Sequence, residues 1–326
     1  MIDPVLSVIF FWASLTVLIY TFLGYPVLVS DGSTDDTVAR VNALAHPRVT
    51  LLVERVRCGK ACALNIAVAA ARGEIIVLAD ARQSFLPETI LQLARHFQDS
   101  PVGAVSGALE IDPAASSVGG GVDAYWRLEK FIRAAESRWD SAIGCTGAVY
   151  AIRRQAFQPI PTDTILDDVV IPMQISNQGL RVLFDATARA FDPQPLEPSH
   201  EQVRKRRTLA GNFQMLLRYP GWLLPWRNRL WWQLISHKYL RLLAPFFLLG
   251  LLLANSALLE IPLYQFLFLG QCFFYGCALI GLVFTSLRVA CFSLPAGFVF
   301  LNWMTLTGLW HFVRGTHRQG WQMTSS

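Results

Sequence analysis

Hydrophobic positions gather at the two ends of the chain. No charged residue lies between Asp3 and Asp31, and Val5 to Leu23 is apolar throughout. That is about 19 residues, enough to cross a bilayer as a helix. The start, Met1-Ile2-Asp3, carries no positive run, and no small-x-small site follows. The segment is therefore expected to be a retained anchor rather than a cleaved signal. Near the other end three charge-free windows follow one another: Leu242 to Leu259, Ile261 to Leu287 and Val289 to Val313. Each reaches the length of a spanning helix. Just before them, Trp222, Trp226, Trp231 and Trp232 mix with Arg227, Arg229, Lys238 and Arg241. This pattern suits a helix lying at the level of lipid headgroups, or a packed surface helix of a soluble body.

Between the ends the pattern alternates. Val27-Leu28-Val29 is a short apolar run, then comes a polar turn, then Val38, Val41, Leu44 and Ala45 at helical spacing. Val49–Val53 reads as a second strand and Lys60–Ala71 as an alanine-rich helix. Ile75 to Ala79 forms a buried-strand run that ends in Asp80. Pro87–Phe97 and Val102–Ser106 continue as helix and strand. Strands alternating with helices predict an α/β body with a mostly parallel sheet, whose ligands bind beyond the carboxyl ends of the strands. Asp31 and Asp80 both fall at such ends.

Composition sharpens this picture. Of 326 residues 53% are hydrophobic and 16% charged, with a net charge of +5. So low a charged fraction excludes a disordered chain, a nucleic-acid-binding tail protein and an ordinary cytosolic enzyme. The charge-free windows also speak against a transporter or channel, whose helices carry intramembrane charges. Most Lys and Arg lie in the middle, which places that body in the cytoplasm beside an inner or plasma membrane. Three C-terminal crossings would then put Arg314 and Arg318 on the far side, against the same rule. The six cysteines form no C-x-x-C pair and read as reduced, and the six histidines show no zinc spacing.

Four polar constellations can carry chemistry, and each has a structural alternative. Ser30-Asp31-Gly32-Ser33-Thr34-Asp35-Asp36 is a tight turn with Ser33 and Asp36 at capping-box spacing, or a ligand loop. Asp80-Ala81-Arg82 at a strand end is a ligand for Mg²⁺ or Mn²⁺ held by a diphosphate, or a helix cap. Asp167-Asp168 beside an apolar run is a general base with a raised pKa, or a helix start. Arg204-Lys205-Arg206-Arg207 holds a diphosphate leaving group, or anionic lipid.

In this order the motifs resemble glycosyltransferase family 2, in its membrane polysaccharide synthase group of cellulose, hyaluronan and poly-N-acetylglucosamine synthases. Val29 to Thr37 looks like the family's second-strand motif, and Gly59-Lys60-Ala61-Cys62-Ala63-Leu64-Asn65 like its G-K-x-x-A-L-N segment. Asp80-Ala81-Arg82 stands at the D-x-D place, Gly144 to Tyr150 at the acceptor-side glycine motif, and Leu166-Asp167-Asp168 at the T-E-D place. Arg204 to Thr208 is similar to Q/R-x-x-R-W. The resemblance implies an A-type glycosyltransferase fold and an inverting transfer from a nucleotide sugar, most simply a UDP-sugar, to a growing glycan. It makes Asp168 the base, with Asp167 beside it. Asp31, Lys60, Asp80, Arg82, Arg204 and Arg207 face the donor, Asp80 holds the metal, and Gly147 and Tyr150 border the acceptor.

The sequence departs from the family in three places. Arg82 replaces the second acid of D-x-D, and Thr208 replaces the tryptophan. Gly24-Tyr25-Pro26 also runs straight into Val27, so the family's opening βα unit is missing and the fold is truncated at its N-terminal strand. The expected organisation is an anchor over 1–26, a cytoplasmic transferase domain over 27–212 and an interfacial segment over 213–241. About three transmembrane helices over 242–313 and a tail over 314–326 complete it. Export or accessory subunits are plausible partners for such a synthase and nucleic acid is not. A catalytically degenerate membrane subunit of the same family is the alternative reading.

Overall fold

The computed structural model describes residues 27–80, 83–111, 120–192, 198–284 and 289–315, with side chains excepted at 111, 120–126 and 198–204. The expected anchor over 1–26 and the tail beyond 315 lie outside the described residues.

The first two strands, β1 (Val27–Asp31) and β2 (Thr50–Glu54), pair in parallel, joined by helix α1 (Thr37–Ala43). The capping box expected at Ser33 does not form. The α1 start is instead closed by Asp35, whose Oδ1 accepts from Thr37 N at 3.1 Å, while Ser33 Oγ accepts from Ser30. Helix α2 (Lys60–Ala70) then leads into β3 (Ile75–Ala79), β4 (Ser84–Phe85), α3 (Thr89–Ala94) and β5 (Val102–Ile111). The body continues with α4 (Gly120–Trp139), β6 (Val149–Arg153), α5 (Asp167–Asn177), β7 (Arg181–Asp192) and α6 (Pro198–Arg218).

The larger sheet has the order β3-β6-β5-β7-β4. Strand directions differ from the parallel-dominated expectation. Only β5–β7 is parallel within it, while β3–β6, β5–β6 and β4–β7 are antiparallel. The reason is that β6 follows the long helix α4 and a loop rather than a right-handed crossover, and it inserts backwards between β3 and β5. Strands β1 and β2 form a sheet of their own, and among the described residues no strand joins β1 to β3.

Alternation along β6 separates two cores. Val149 and Ala151 face one side, with Leu93, Phe97, Val102, Val105, Ala188 and Ala190. Tyr150 and Ile152 face the other, with Val68, Leu78, Val169 and Ile171. The strand's period of two thus buries both faces of the central sheet under helices. By contrast β3, wholly apolar but at one end of this sheet, keeps Ile75, Ile76 and Val77 partly exposed.

After α6 come a turn over Pro220–Leu223, α7 (Trp231–Leu234), a π-helical turn over Ile235–Tyr239, α8 (Leu240–Ala257), α9 (Pro262–Val283) and α10 (Ala290–Val313). The aromatic and basic segment divides its side chains. Trp222, Leu230 and Leu234 join the core, while Trp226 and Trp232 stay exposed. Three stretches, Trp231–Ala257, Pro262–Val283 and Ala290–Val313, are long and apolar enough to cross a membrane. Phe247, Leu253, Phe266, Leu269 and Phe273 on α8 and α9 are exposed, as lipid-facing side chains would be. α10 behaves differently in its second half, which lies along α6. Lys205 Nζ sits 5.6 Å from the Phe300 ring, and Phe213 stacks on Phe312 at 6.2 Å. A Cβ at Gly308 would come within 2.6 Å of Leu209 Cβ, so this glycine lets the two helices touch.

Candidate active site

The site begins where β1 ends. Asp31 turns its carboxylate toward the loop before α2 and accepts from the backbone N–H of Cys58 and, at 2.9 Å, of Gly59. Two glycines make that turn possible. Gly32 has φ 61°, and a Cβ there would fall 2.6 Å from Arg57 N. Gly59, the N-cap of α2, has φ 91°, which side-chain-bearing residues rarely adopt. Asp31 is thus a brace for the loop that presents Lys60. Burial, reinforced by Cys62 and Asp31, pushes the Cys58 thiol up to about 12, so it stays protonated.

Lys60 is the first residue of α2, an unfavourable place for a cation because the helix dipole is positive there. It is held by carboxylates instead. Its Nζ lies 3.2 Å from Asp80 Oδ1 and 3.1 Å from Asp167 Oδ2. Burial alone would lower its pKa, but Asp167, Asp80 and Asp168 outweigh that and hold the ammonium above its ordinary value. The other end of the family-like segment, Asn65, clamps α2 to the loop before α5. It donates to Ile160 O at 2.8 Å and accepts from Ile160 N at 3.0 Å.

Asp167 and Asp168 open α5, where acids suit the dipole. Asp167 is 5% exposed. Burial, helped by the negative charge of Asp168, raises its pKa against the pull of Lys60. Asp168 is half-buried and points toward Gly147, where a Cβ would lie 3.4 Å from its Oδ2. Pro172 lies inside α5 and has no N–H to give the carbonyl of Asp168 four residues back. That carbonyl accepts from Cys145 N instead, at 2.8 Å. The proline therefore frees the bond that ties the Gly144–Tyr150 loop to the acid pair.

Tyr150 lies under the site on β6. It is 1% exposed, and among the described residues its hydroxyl has no hydrogen-bond partner. Burial, then the charges of Asp167, Cys145 and Asp168, raises its pKa. Arg207 sits partly buried on α6, one turn before Gly211, which packs against Ile165 and Leu166 just ahead of the acid pair. Arg82 and the side chain of Arg204 lie outside the described residues. Lys60 therefore draws Asp80, Asp167 and Asp168 together, and Asp31 joins them through Gly59.

A second cluster escaped the sequence reading. His237, in the π-helical turn, directs Nδ1 at Glu136 Oε1 (2.8 Å) and Nε2 at Glu129 Oε1 (3.0 Å). Arg241 and Arg133 flank Glu129 at 3.0 and 3.4 Å. Burial would raise the Glu129 pKa, but the His237 hydrogen bond and the neighbouring cations hold it well below the carboxylate range. The sequence signal was faint: two acids seven residues apart on a helix, and one histidine at the edge of an apolar window. All six cysteines are free. Among the described residues no group of three or more His, Cys, Asp or Glu could hold a metal ion. Asp80 offers a single hard oxygen ligand that already carries a cation, Lys60, and that donor set fits Mg²⁺ or Mn²⁺ completed by phosphate oxygens.

Residues 27–160 match the family model described as Glycosyl transferase family 2. Among solved structures the chain is similar to the mannosyltransferase PcManGT from Pyrobaculum calidifontis in complex with GDP-Man and Mn²⁺. The two are 24% identical, over 88% of this chain and 77% of that chain, with a TM-score of 0.63. Weaker likenesses are GalNAc-T7 with UDP, GalNAc and Mn²⁺ (15% identity, 59% of this chain and 45% of that one, TM-score 0.41). Another is glucosyl-3-phosphoglycerate synthase from Mycobacterium tuberculosis with phosphoglyceric acid (17%, 57% and 66%, 0.38). No curated protein sequence matches the chain. Over residues 27–160 the chain thus matches glycosyl transferase family 2, on a mixed α/β glycosyltransferase fold joined to three helices long and apolar enough to span a membrane.

Proposed function

We propose that this protein is a membrane-bound inverting glycosyltransferase that moves a sugar from a nucleotide-sugar donor to a glycan acceptor. The observation that carries the reading is the position of Lys60 Nζ, 3.2 Å from Asp80 and 3.1 Å from Asp167, with Asp168 next in the chain. One cation and three acids at strand and helix ends provide the two functions the transfer needs. The Lys60 side supplies positive charge for a departing diphosphate. The Asp168 side, open toward Gly147, supplies a carboxylate that takes the proton of the attacking hydroxyl. Asp80 would hold a divalent cation, whose chemistry is to neutralise charge growing on the diphosphate. Asp31 and Asn65 position the loop and helix that carry Lys60. Arg204 and Arg207 are proposed as further phosphate contacts and Gly147 as an acceptor border. Tyr150, buried as it is, would support the acid pair from below. The GDP-Man complex of the structurally similar PcManGT supports a donor of this class. A polysaccharide acceptor and a cytoplasmic catalytic body follow from the synthase-like motifs and the charge distribution.

The test is titration calorimetry of the full chain in detergent or nanodiscs with UDP- and GDP-sugars, with and without Mn²⁺. Micromolar, metal-dependent binding is expected, followed by transfer of labelled sugar in membranes. One observation favours a second reading, a degenerate subunit without turnover. Among the described residues β1–β2 stands apart from the main sheet, as it would if a strand between β1 and β3 were missing. Absence of donor binding would decide for that reading.

A further inference from the structure

We propose that Lys60 is a resident counter-ion of the donor pocket. It fills the cation position between Asp80 and Asp167 until a divalent cation and a nucleotide diphosphate arrive together. It then passes from Asp80 to the phosphates while keeping Asp167. This inference rests on the donor-pocket reading above and deepens it.

The two ends of the bridge are unequal. The Asp167 side chain is 6% exposed and lies within the body, whereas the Asp80 side chain is 34% exposed. Asp167 Oδ2 is close to Lys60 Nζ, and among the described residues it has no aligned hydrogen bond and no other partner. An ionised carboxylate in that position depends on the ammonium, so Lys60 cannot leave it without leaving a bare buried charge. Asp80 is open to solvent and can exchange one cation for another. The helix start offers Lys60 nothing, since the dipole there repels it. The lysine therefore stays because of the acids, and its flexible stem lets the head group shift while one acid still holds it.

A divalent cation arriving alone meets an unfavourable site. Among the described residues no trio of potential ligands surrounds Asp80, and its Oδ1 is shared with an ammonium. A hard cation held by one carboxylate needs further oxygens. A diphosphate brings them, and it also gives the displaced ammonium a new anionic partner. Cation and diphosphate are then bound cooperatively, each raising the affinity for the other by the same factor.

The experiment measures Mn²⁺ binding by electron paramagnetic resonance on the full chain in nanodiscs, without nucleotide and with UDP or GDP. The wild type is expected to bind Mn²⁺ weakly alone and tightly with a diphosphate. Lys60→Met is expected to bind Mn²⁺ alone about tenfold tighter and to lose a similar factor of the Mn²⁺–diphosphate coupling. Because Lys60→Met leaves Asp167 uncompensated, Lys60→Met/Asp167→Asn serves as the second variant and is expected to show the same gain. Unchanged or weaker Mn²⁺ affinity in both variants, with the coupling intact, overturns the exchange and leaves the donor pocket standing. No Mn²⁺ binding by any of the three proteins, with or without nucleotide, overturns the exchange and the pocket together.

Discussion

Asp167 and Asp168 are chain neighbours with opposite surroundings. The first is buried against Lys60, and the second is half-buried and faces a glycine. Of the two, only Asp168 is open enough to solvent for the proposed role of base. Asp168→Asn keeps the shape and the dipole-favoured position but removes the proposed base. Turnover is expected to fall by roughly 10²–10⁴-fold while the calorimetric affinity for the donor nucleotide stays unchanged. A variant that turns over normally would remove Asp168 from the chemistry. Gly59 acts one step back. Its φ of 91° sets the approach of Lys60, and a Cβ there meets nothing closer than Thr162 O at 3.9 Å. The penalty in Gly59→Ala is therefore conformational rather than steric, on the order of 1–3 kcal/mol if the backbone holds. If the backbone relaxes instead, the loop turns away from Asp31. Donor affinity is then expected to fall while the melting temperature barely moves, and the two measurements on one variant distinguish the cases.

Individual elements are fastened by polar contacts in places where the apolar pattern offers little. The His237–Glu129–Glu136 cluster joins α4 to the turn that launches α8, with distances of 2.8–3.0 Å and side chains at most 8% exposed. His237→Ala leaves two carboxylates buried without the ring between them. Breaking a buried pair of this kind costs about 3–5 kcal/mol, which should appear as a large loss of melting temperature in detergent. The same cluster sets a pH dependence. Glu129 has its pKa held below the unfolded value of 4.5, so its contribution is complete above that value and is lost as pH falls through the lower folded one. Acid should therefore loosen α4 from α8 before it melts β6, and hydrogen exchange of α4 amides on acidification would show the order. The sequence made the elements legible because their periods are local. β3, α2 and the three long apolar helices lie within a few residues of where the pattern puts them. Strand direction was not legible, because the reversed insertion of β6 depends on what α4 and the loop after it pack against. Nor was the His237 clasp, whose partners are more than 100 residues apart in sequence. Of the site, the acids were legible as strand-end and helix-start residues. The bridging role of Lys60 was not, since it exists only once β3, α2 and α5 converge.

At the scale of the whole molecule, the charge pattern and the helix count disagree, and packing offers a resolution. Three full crossings after the α/β body would carry Arg314 to the opposite side of the bilayer. Yet α10 does not run free of that body. Phe300, Gly308 and Phe312 lie on Lys205, Leu209 and Phe213 of α6 in the same order along both helices. Beyond them, Arg314 and Gly315 border a cavity of about 500 Å³ together with Asp163 and Arg218, which belong to the α/β body and pair with each other at 2.7 Å. A helix end that shares a cavity with a polar domain is expected to lie on that domain's side of the lipid. On that packing α8 and α9 are expected to form a hairpin into the membrane, with α10 returning along α6 at the interface, where the exposed Trp303 and Trp310 would serve as interfacial anchors. Such an arrangement would restore the positive-inside bias for Arg314. Gly315→Cys, placed in a chain whose six native cysteines are replaced by serine or alanine, should react with a membrane-impermeant maleimide from the same side as a cysteine at the exposed Glu88. Labelling of the two positions from opposite faces of sealed vesicles would instead require α10 to cross, and would separate Arg314 from the cavity that Asp163 and Arg218 line.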